Sequence, residues 1–312
     1  MNDYTCQECN KEFDAEKRLH AHIKAHDLRV AAYYQKYYPR YDLRDKKIIK
    51  FKNKKQYFNT EFNSRTNLRI WLKEQPMKGK RSFCTKILTK RKKEKELTYS
   101  PSQVELRSIM SPPIQYYEKE FGDYYKLCDS LGFENKYCTT SEIITVHEWK
   151  NPVYKILVDT REQKPLKFER PIELITLKYG DYAFDNKSAT CNTYIERKSL
   201  SDFIGTLSGG YERFVKEIER AKEDEAYLIV LIEDTLENAS SFKYLPYISK
   251  KIRATPEFIF NRVRNLIQKH EHIQFLFVKG RKESTRVMEK IFTCGCAQKK
   301  IDLQLAYDKK IL

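Results

Sequence analysis

From Tyr227 to Ile232 the chain reads Y-L-I-V-L-I with no polar break, within the longer stretch AYLIVLIED at 226–234. No other stretch constrains the fold as much. Six residues suit a strand better than a helix, and a strand that is apolar at every position must be covered on both faces. The runs ILV in KILVD (155–159) and FLFV in IQFLFV (273–278) make the same demand. Two further strands are read at IELITLKYGDY (172–182) and TYIERK (193–198), with helical patterns at 201–222, 256–270 and 283–292. Strands alternating with helices of this length predict an α/β unit over 152–312, a mixed or parallel central sheet flanked by helices on both faces.

The rest of the chain is organised differently. Its 312 residues carry 60 Lys+Arg against 43 Asp+Glu, a net charge of +17. Residues 40–97 alone hold 20 basic and 6 acidic residues, whereas 152–312 carry only +6. A field so concentrated attracts polyanions, and each phosphate that it neutralises releases counterions. Tyr33, Tyr34, Tyr37, Tyr38, Tyr57, Phe58 and Trp71 are interleaved with this charge, as rings that stack on bases or pack under Lys and Arg stems. The run KRKKEKE at 90–96 reads as a solvated linker or a phosphate-contacting arm. No stretch is apolar for the roughly 18 residues that a membrane span needs, and the N-terminus lacks a secretory pattern. With eight cysteines, two of them in a CxxC, the expectation is an intracellular, reducing location and a metal site instead of disulfides. Four segments result: 1–27, a Cys/His unit; 28–98, basic and Tyr-rich; 99–150, short helices punctuated by proline; and 152–312.

Residues 4–26 read C-x2-C-x3-F-x5-L-x2-H-x3-H, through Cys6, Cys9, Phe13, Leu19, His22 and His26. A two-residue knuckle brings two thiolates to one tetrahedral ion, and histidines four apart share a helix face. Phe13 and Leu19 supply a miniature core, and Zn²⁺ would supply most of the folding energy. Every spacing is similar to that of the two-cysteine, two-histidine zinc finger, a small ββα unit. His20 is left as a spare. Docked like a DNA-reading finger, this one would face bases with Ala15, Arg18 and Ala21, and of these only Arg18 can read a base edge. Base reading, phosphate anchoring and protein binding all stay open for it.

The sharpest chemical signal lies in the C-terminal half. VDTRE ends one strand with Asp159, Arg161 and Glu162; YGDY supplies Asp181; YIERKSLSDF supplies Glu196, Arg197, Lys198 and Asp202. Metal-assisted phosphodiester hydrolysis needs carboxylate oxygens to hold a hard cation, which polarises phosphate and lowers the pKa of water. A lysine nearby orients that water or balances developing charge. Glu196 and Lys198, two apart in a strand, share a face that Asp181 can meet from a neighbouring strand.

At these residues the chain resembles the XPF-type (ERCC4-domain) nuclease family, whose signature is GD, a variable gap, then ERK-x3-D. Here it is Gly180-Asp181, Glu196-Arg197-Lys198 and Asp202, with the upstream D-x-R-E as Asp159, Arg161 and Glu162. The likeness spans roughly 152–293 and includes TLSGGYERFVKEIERAK at 206–222. It implies a restriction-enzyme-like nuclease core in which Asp181 and Glu196 ligate Mg²⁺ or Mn²⁺, with Asp159 and Glu162 beside them. By the same resemblance Lys198 is catalytic, while Arg161, Arg197 and Asp202 support the site or contact DNA phosphate. Many relatives continue into tandem helix-hairpin-helix motifs; the residues after Phe292 show no such glycine pattern, which puts junction recognition by that route in doubt.

PPIQYYEKEFGDYYKLCDSLGF (112–133) resembles a helical repeat found beside homing endonucleases, through Tyr116, Tyr117, Phe121, Gly122, Tyr124, Leu127, Leu131 and Gly132. Tyr117, Phe121, Tyr124 and Leu131 serve equally well as the core of an ordinary helical pair. The combined expectation is a metal-dependent DNA endonuclease with a mainly helical, basic DNA-binding half, in a layout like that of phage or mobile-element enzymes. Double-stranded or branched DNA would be its partner, with pairing of two copies through the nuclease domain left open. The alternatives are a non-catalytic zinc-finger DNA-binding protein using the nuclease fold as a scaffold, a structure-specific repair or recombination nuclease, and an enzyme acting on RNA.

Overall fold

A computed structural model describes residues 4–39, 48, 50–54, 57, 65–139, 155–185, 192–249 and 251–312. Phe58 and the end of the segment read as 99–150 lie outside these residues. The chain forms two compact units, Met1–Lys78 and Gly79–Leu312.

In the first unit, β1 (Tyr4–Thr5) pairs antiparallel with β2 (Glu12–Phe13), and α1 (Glu16–His22) runs into a 3-10 turn at Ile23–His26. Cys6, Leu19 and Ile23 are buried together, with Phe13 packed against them. A second helix, α2 (Val30–Tyr37), completes this core. Its Tyr33 is fully buried, and the Tyr33 hydroxyl accepts a hydrogen bond of 2.8 Å from the Gln7 amide inside the cysteine knuckle. One of the rings read as a base-stacking candidate is therefore spent on packing. Tyr57 is buried as well and donates to the Tyr38 carbonyl at 2.7 Å. Helix α3 (Arg65–Glu74) buries Leu68 and Leu72.

The second unit is built on a mixed six-stranded sheet. Its strands are β3 (Lys155–Asp159), β4 (Ile172–Ile175), β5 (Tyr182–Asp185), β6 (Thr193–Lys198), β7 (Tyr227–Ile232) and β8 (Ile273–Phe277), in the order β4-β3-β5-β6-β7-β8. β5 runs antiparallel to both its neighbours; the other pairs are parallel. The run 172–182, read as one strand, is two. β4 lies on one side of β3 and β5 on the other, so the chain must leave the sheet between them, over 176–181. The helix read at 201–222 is likewise split, into α8 (Leu200–Thr206) and α9 (Tyr211–Glu223), around Gly209 and Gly210.

β7 is buried at all six positions, as a strand covered on both faces must be. Leu228, Val230 and Ile232 face one core, with α8, α9, α10 (Leu236–Ser240) and α11 (Pro256–Lys269). Ile229 and Leu231 face the other, which holds α12 (Gly280–Cys294) and α13 (Leu303–Asp308). That second core also takes in the segment before the sheet. Helices α4 (Met77–Lys95), α5 (Gln103–Arg107), α6 (Ile114–Phe121) and α7 (Tyr124–Ser130) contribute Cys84, Leu88, Leu106, Ile114, Tyr117, Tyr124 and Cys128, which cluster with Ile156 and Val158 of β3. The repeat-like aromatics Tyr117 and Tyr124 are thus core residues of the sheet unit. KRKKEKE is no free arm: all but its last residue belong to α4, and Lys92 Nζ donates to the Leu131 carbonyl at 3.0 Å. Among the described residues, no helix is long and apolar enough to cross a membrane.

Candidate active site

Strand directions decide which side chains can meet. With β5 antiparallel to both β3 and β6, the carboxyl ends of β3, β6 and β7 lie at the same sheet edge as the amino end of β5. Asp159 closes β3, Asp181 immediately precedes β5, Glu196–Lys198 close β6, and Glu233 follows β7. Gly180 lets Asp181 enter. Its φ is +60°, and a Cβ there would lie 2.9 Å from the Ile195 carbonyl oxygen of β6. Any other residue would push this loop away from the strand that carries Glu196.

Asp181 Oδ2 accepts the Arg197 backbone N–H at 2.7 Å, and Glu196 Oε1 accepts Lys198 Nζ at 2.7 Å. Among the described residues, Asp181 Oδ1 and Glu196 Oε2 take no hydrogen bond. Burial, and then the negative charge of Glu196, push the Asp181 carboxyl up to about 7. Two carboxylates crowded in this way, each with a free oxygen, form a donor set suited to a hard divalent cation. Lys198 Nζ stands 6.0 Å from the centre of the Phe214 ring on α9.

Asp159 is used otherwise. It is buried, its Oδ1 accepts the Arg161 amide (2.8 Å) and Nε (2.7 Å), and its Oδ2 accepts Arg161 Nη2 (3.0 Å) and the Leu177 amide (2.7 Å). These four bonds fill the lone pairs of the carboxylate. The Arg161 guanidinium beside it holds the carboxyl below its ordinary range. In this arrangement Asp159 brackets Arg161, whose side chain is 68% exposed, and has no lone pair left for a cation.

Arg197 faces the opposite side of β6 from Glu196 and Lys198. Its Nε and Nη2 donate to Glu162 at 3.2 and 3.0 Å, and its Nη1 donates to Glu233 Oε2 at 2.7 Å. Only 12% of the Arg197 side chain is exposed. Glu162 thus pairs with Arg197. Asp202 belongs to the first turn of α8, where it exchanges hydrogen bonds with the capping residue Ser199.

Two acidic residues were not singled out from the sequence. Glu233 is the first polar residue after the buried β7 run, at the strand end where such a sheet collects its chemistry, so its signal was present. Glu217 is one turn beyond Phe214 on α9, and its carboxyl is raised by burial and then by the nearby charge of Glu196. Only the folded arrangement brings Glu217 near β6.

In the first unit, the ligand atoms of Cys6, Cys9, His22 and His26 all lie within 4.8 Å of one another. Cys9 Sγ is 3.1 Å from His22 Nε2, Cys6 Sγ is 3.5 Å from His26 Nε2, and the two Nε2 atoms are 3.1 Å apart. A tetrahedral zinc ion with bonds of about 2.0–2.3 Å requires edges of about this length. His20 is engaged elsewhere, with the Tyr34 hydroxyl at 3.0 Å. Arg18 pairs with Asp14 at 2.7 Å on an exposed face.

Residues 158–291 match the ERCC4 domain family. Among solved structures, XPF from Aeropyrum pernix in complex with DNA is similar at 18% identity and a TM-score of 0.34, over 50% of this chain and 66% of that one. A second structure of XPF from Aeropyrum pernix is similar at 20% identity and a TM-score of 0.34, over 44% of this chain and 59% of that one. This chain therefore spans less than two thirds of either. No curated protein matches it.

Proposed function

Starting from the ERCC4 domain at residues 158–291, we propose that this chain is a metal-dependent DNA endonuclease, held on its substrate by its basic helices and its N-terminal finger. The observation that carries the reading is the pair Asp181 and Glu196, each with an uncommitted oxygen, beside Lys198 at one edge of the sheet. When bound there, Mg²⁺ or Mn²⁺ supplies a polarised phosphate and a more acidic water. The chain's own part is to hold and orient. Asp181 and Glu196 fix the cation position, and Lys198 offers an N–H to the oxygen on which charge develops. Arg161, exposed and steadied by Asp159, meets a neighbouring phosphate.

Charge argues for a nucleic acid as the substrate, and the ERCC4 domain is the reason to propose DNA. The outward face of α4 presents Lys86, Lys90 and Lys93, one helical stripe on the unit that holds the site. In the finger, Cys6, Cys9, His22 and His26 hold Zn²⁺. The test is to incubate the purified chain with linear, flapped, forked and supercoiled DNAs and matching RNAs, with Mg²⁺ and with EDTA. Cation-dependent strand cleavage of one or more DNAs supports the proposal; no cleavage of any DNA with Mg²⁺ or Mn²⁺ contradicts it.

A further inference from the structure

Arg197 sits between two carboxylates. A guanidinium has five N–H donors, and here Glu162 takes Nε and one Nη2 hydrogen, Glu233 takes one from Nη1, and the Lys164 carbonyl is 3.3 Å from Nη2. One positive charge against two negative ones leaves this group net negative. A phosphate arriving here would meet a neutralised cation with almost no free donors and two carboxylates behind it. The backbone of the same residue does something different: Arg197 N–H holds Asp181 Oδ2 at 2.7 Å. Fixing the guanidinium therefore fixes the peptide that aims Asp181.

Glu233 is the outer half of this clamp. In parallel register, Arg197 pairs with Leu231, so Glu233, two residues beyond Leu231 and just past the end of β7, projects from the same face as Arg197. Its Oε1 is buried and, among the described residues, has no hydrogen-bond partner. A buried carboxylate with one oxygen unsatisfied is costly to keep, and a purely architectural role would be better met by an apolar side chain or an amide.

We infer that Glu233 is a positioning residue: with Glu162 it locks Arg197, and through the Arg197 backbone it sets the orientation of Asp181 for a divalent cation, so that Arg197 is an internal brace and not a phosphate contact. This rests on the endonuclease reading above. Glu233 touches neither substrate nor cation; it acts entirely through Arg197.

The experiment uses the full chain with Glu233→Gln, Glu233→Asp and Arg197→Met, and with Glu233→Gln and Arg197→Met combined. Cleavage of a DNA duplex is timed at saturating DNA across a Mn²⁺ titration, and DNA affinity is measured in Ca²⁺. Mn²⁺ binding without DNA is followed by electron paramagnetic resonance, and each variant is melted to show that it folds. Displacing one catalytic group by about 1 Å can cost about 10²-fold in rate. Expected, then, are losses of that order in Glu233→Gln and Arg197→Met, higher half-saturating Mn²⁺, DNA affinity within about twofold, and a double variant no slower than Arg197→Met alone. Glu233→Asp should recover part of the rate, because it restores the charge. Additive losses in the double variant would overturn the inference, as would an Arg197→Met protein that binds DNA much more weakly at unchanged Mn²⁺ half-saturation. If the wild-type chain cleaves nothing, the endonuclease reading fails by itself. Mn²⁺ binding then still decides the role of Glu233: weaker binding by Glu233→Gln supports it, and unchanged binding overturns it.

Discussion

Lys198 Nζ donates a 2.7 Å hydrogen bond to Glu196 Oε1, and the two residues share one face of β6. The pairing holds the ammonium at this sheet edge and, among the described residues, leaves Glu196 Oε2 without a hydrogen bond. Lys198 is thereby assigned to the transition state more than to binding. Replacing it with alanine should lower kcat by about 10²–10³-fold, the usual cost of removing one donor to a developing negative charge. DNA affinity should change by much less. Paired kcat and Kd measurements on Lys198→Ala check this; a loss confined to affinity would reassign the residue to phosphate binding.

The sheet cannot be separated from the helices before it. Leu88, Leu106, Tyr117 and Tyr124 are buried in the same core as Ile156 and Val158. A fragment starting at residue 79 should therefore melt cooperatively, whereas one starting at 152 should expose that core and aggregate or melt far lower. A single buried leucine cut to alanine in such a core costs about 2–5 kcal/mol, and the shorter fragment loses many such side chains. Circular dichroism melts of the two fragments are the check, and equal stability would contradict the shared core.

Much of this was legible in the sequence. The apolar runs of β3, β7 and β8 declared interior strands, since only strands covered on both faces stay apolar at every position. Strand alternation placed Glu196 and Lys198 on one face, with Asp181 able to meet them from a neighbouring strand, while their roles came only from the family resemblance. The fate of Tyr117 and Tyr124 was not legible, because a DNA-binding repeat and a helical core want the same amphipathic pattern. Nor was the break in 172–182, whose apolar alternation continues straight through the crossover. Arg197 and Asp159 illustrate the remaining limit: charge type shows that a residue can bind phosphate or metal, and only the fold shows that its donors or lone pairs are already taken.

Asp181 makes the apo protein sensitive to pH. Its carboxyl, pushed up to about 7 by burial and by Glu196, holds a proton more tightly in the folded chain than in the unfolded one. Its contribution to stability is therefore complete below its ordinary pKa of about 4 and is lost as pH rises through about 7. In EDTA, the melting temperature of the wild type should fall between about pH 5 and pH 8 more steeply than that of Asp181→Asn, whose amide does not titrate. Parallel pH profiles would contradict this. With a divalent cation present, cleavage should rise over the same interval, as the carboxylate becomes available.

In the first unit, Cys6, Cys9, His22 and His26 should bind one zinc per chain. Doubling the change to Cys6→Ala with Cys9→Ala should remove that zinc and unfold the finger, while the unit from Gly79 onward keeps its melting transition, having separate cores. Elemental analysis and calorimetry of the double variant provide the check; full zinc occupancy in it would contradict the assignment.

The most direct test is a cleavage time course in Mg²⁺ for wild type, Glu196→Gln and Asp181→Asn, with DNA affinity measured on the same preparations. Each replacement keeps the side chain's size and removes a charge that the cation requires. Expected is cleavage by the wild type that stops in EDTA, no detectable cleavage by either variant, and DNA binding unchanged or slightly tighter, because a carboxylate that repels phosphate is gone. Cleavage by Glu196→Gln at close to the wild-type rate, or wild-type cleavage that persists in EDTA, would contradict a cation-dependent site built on Asp181 and Glu196.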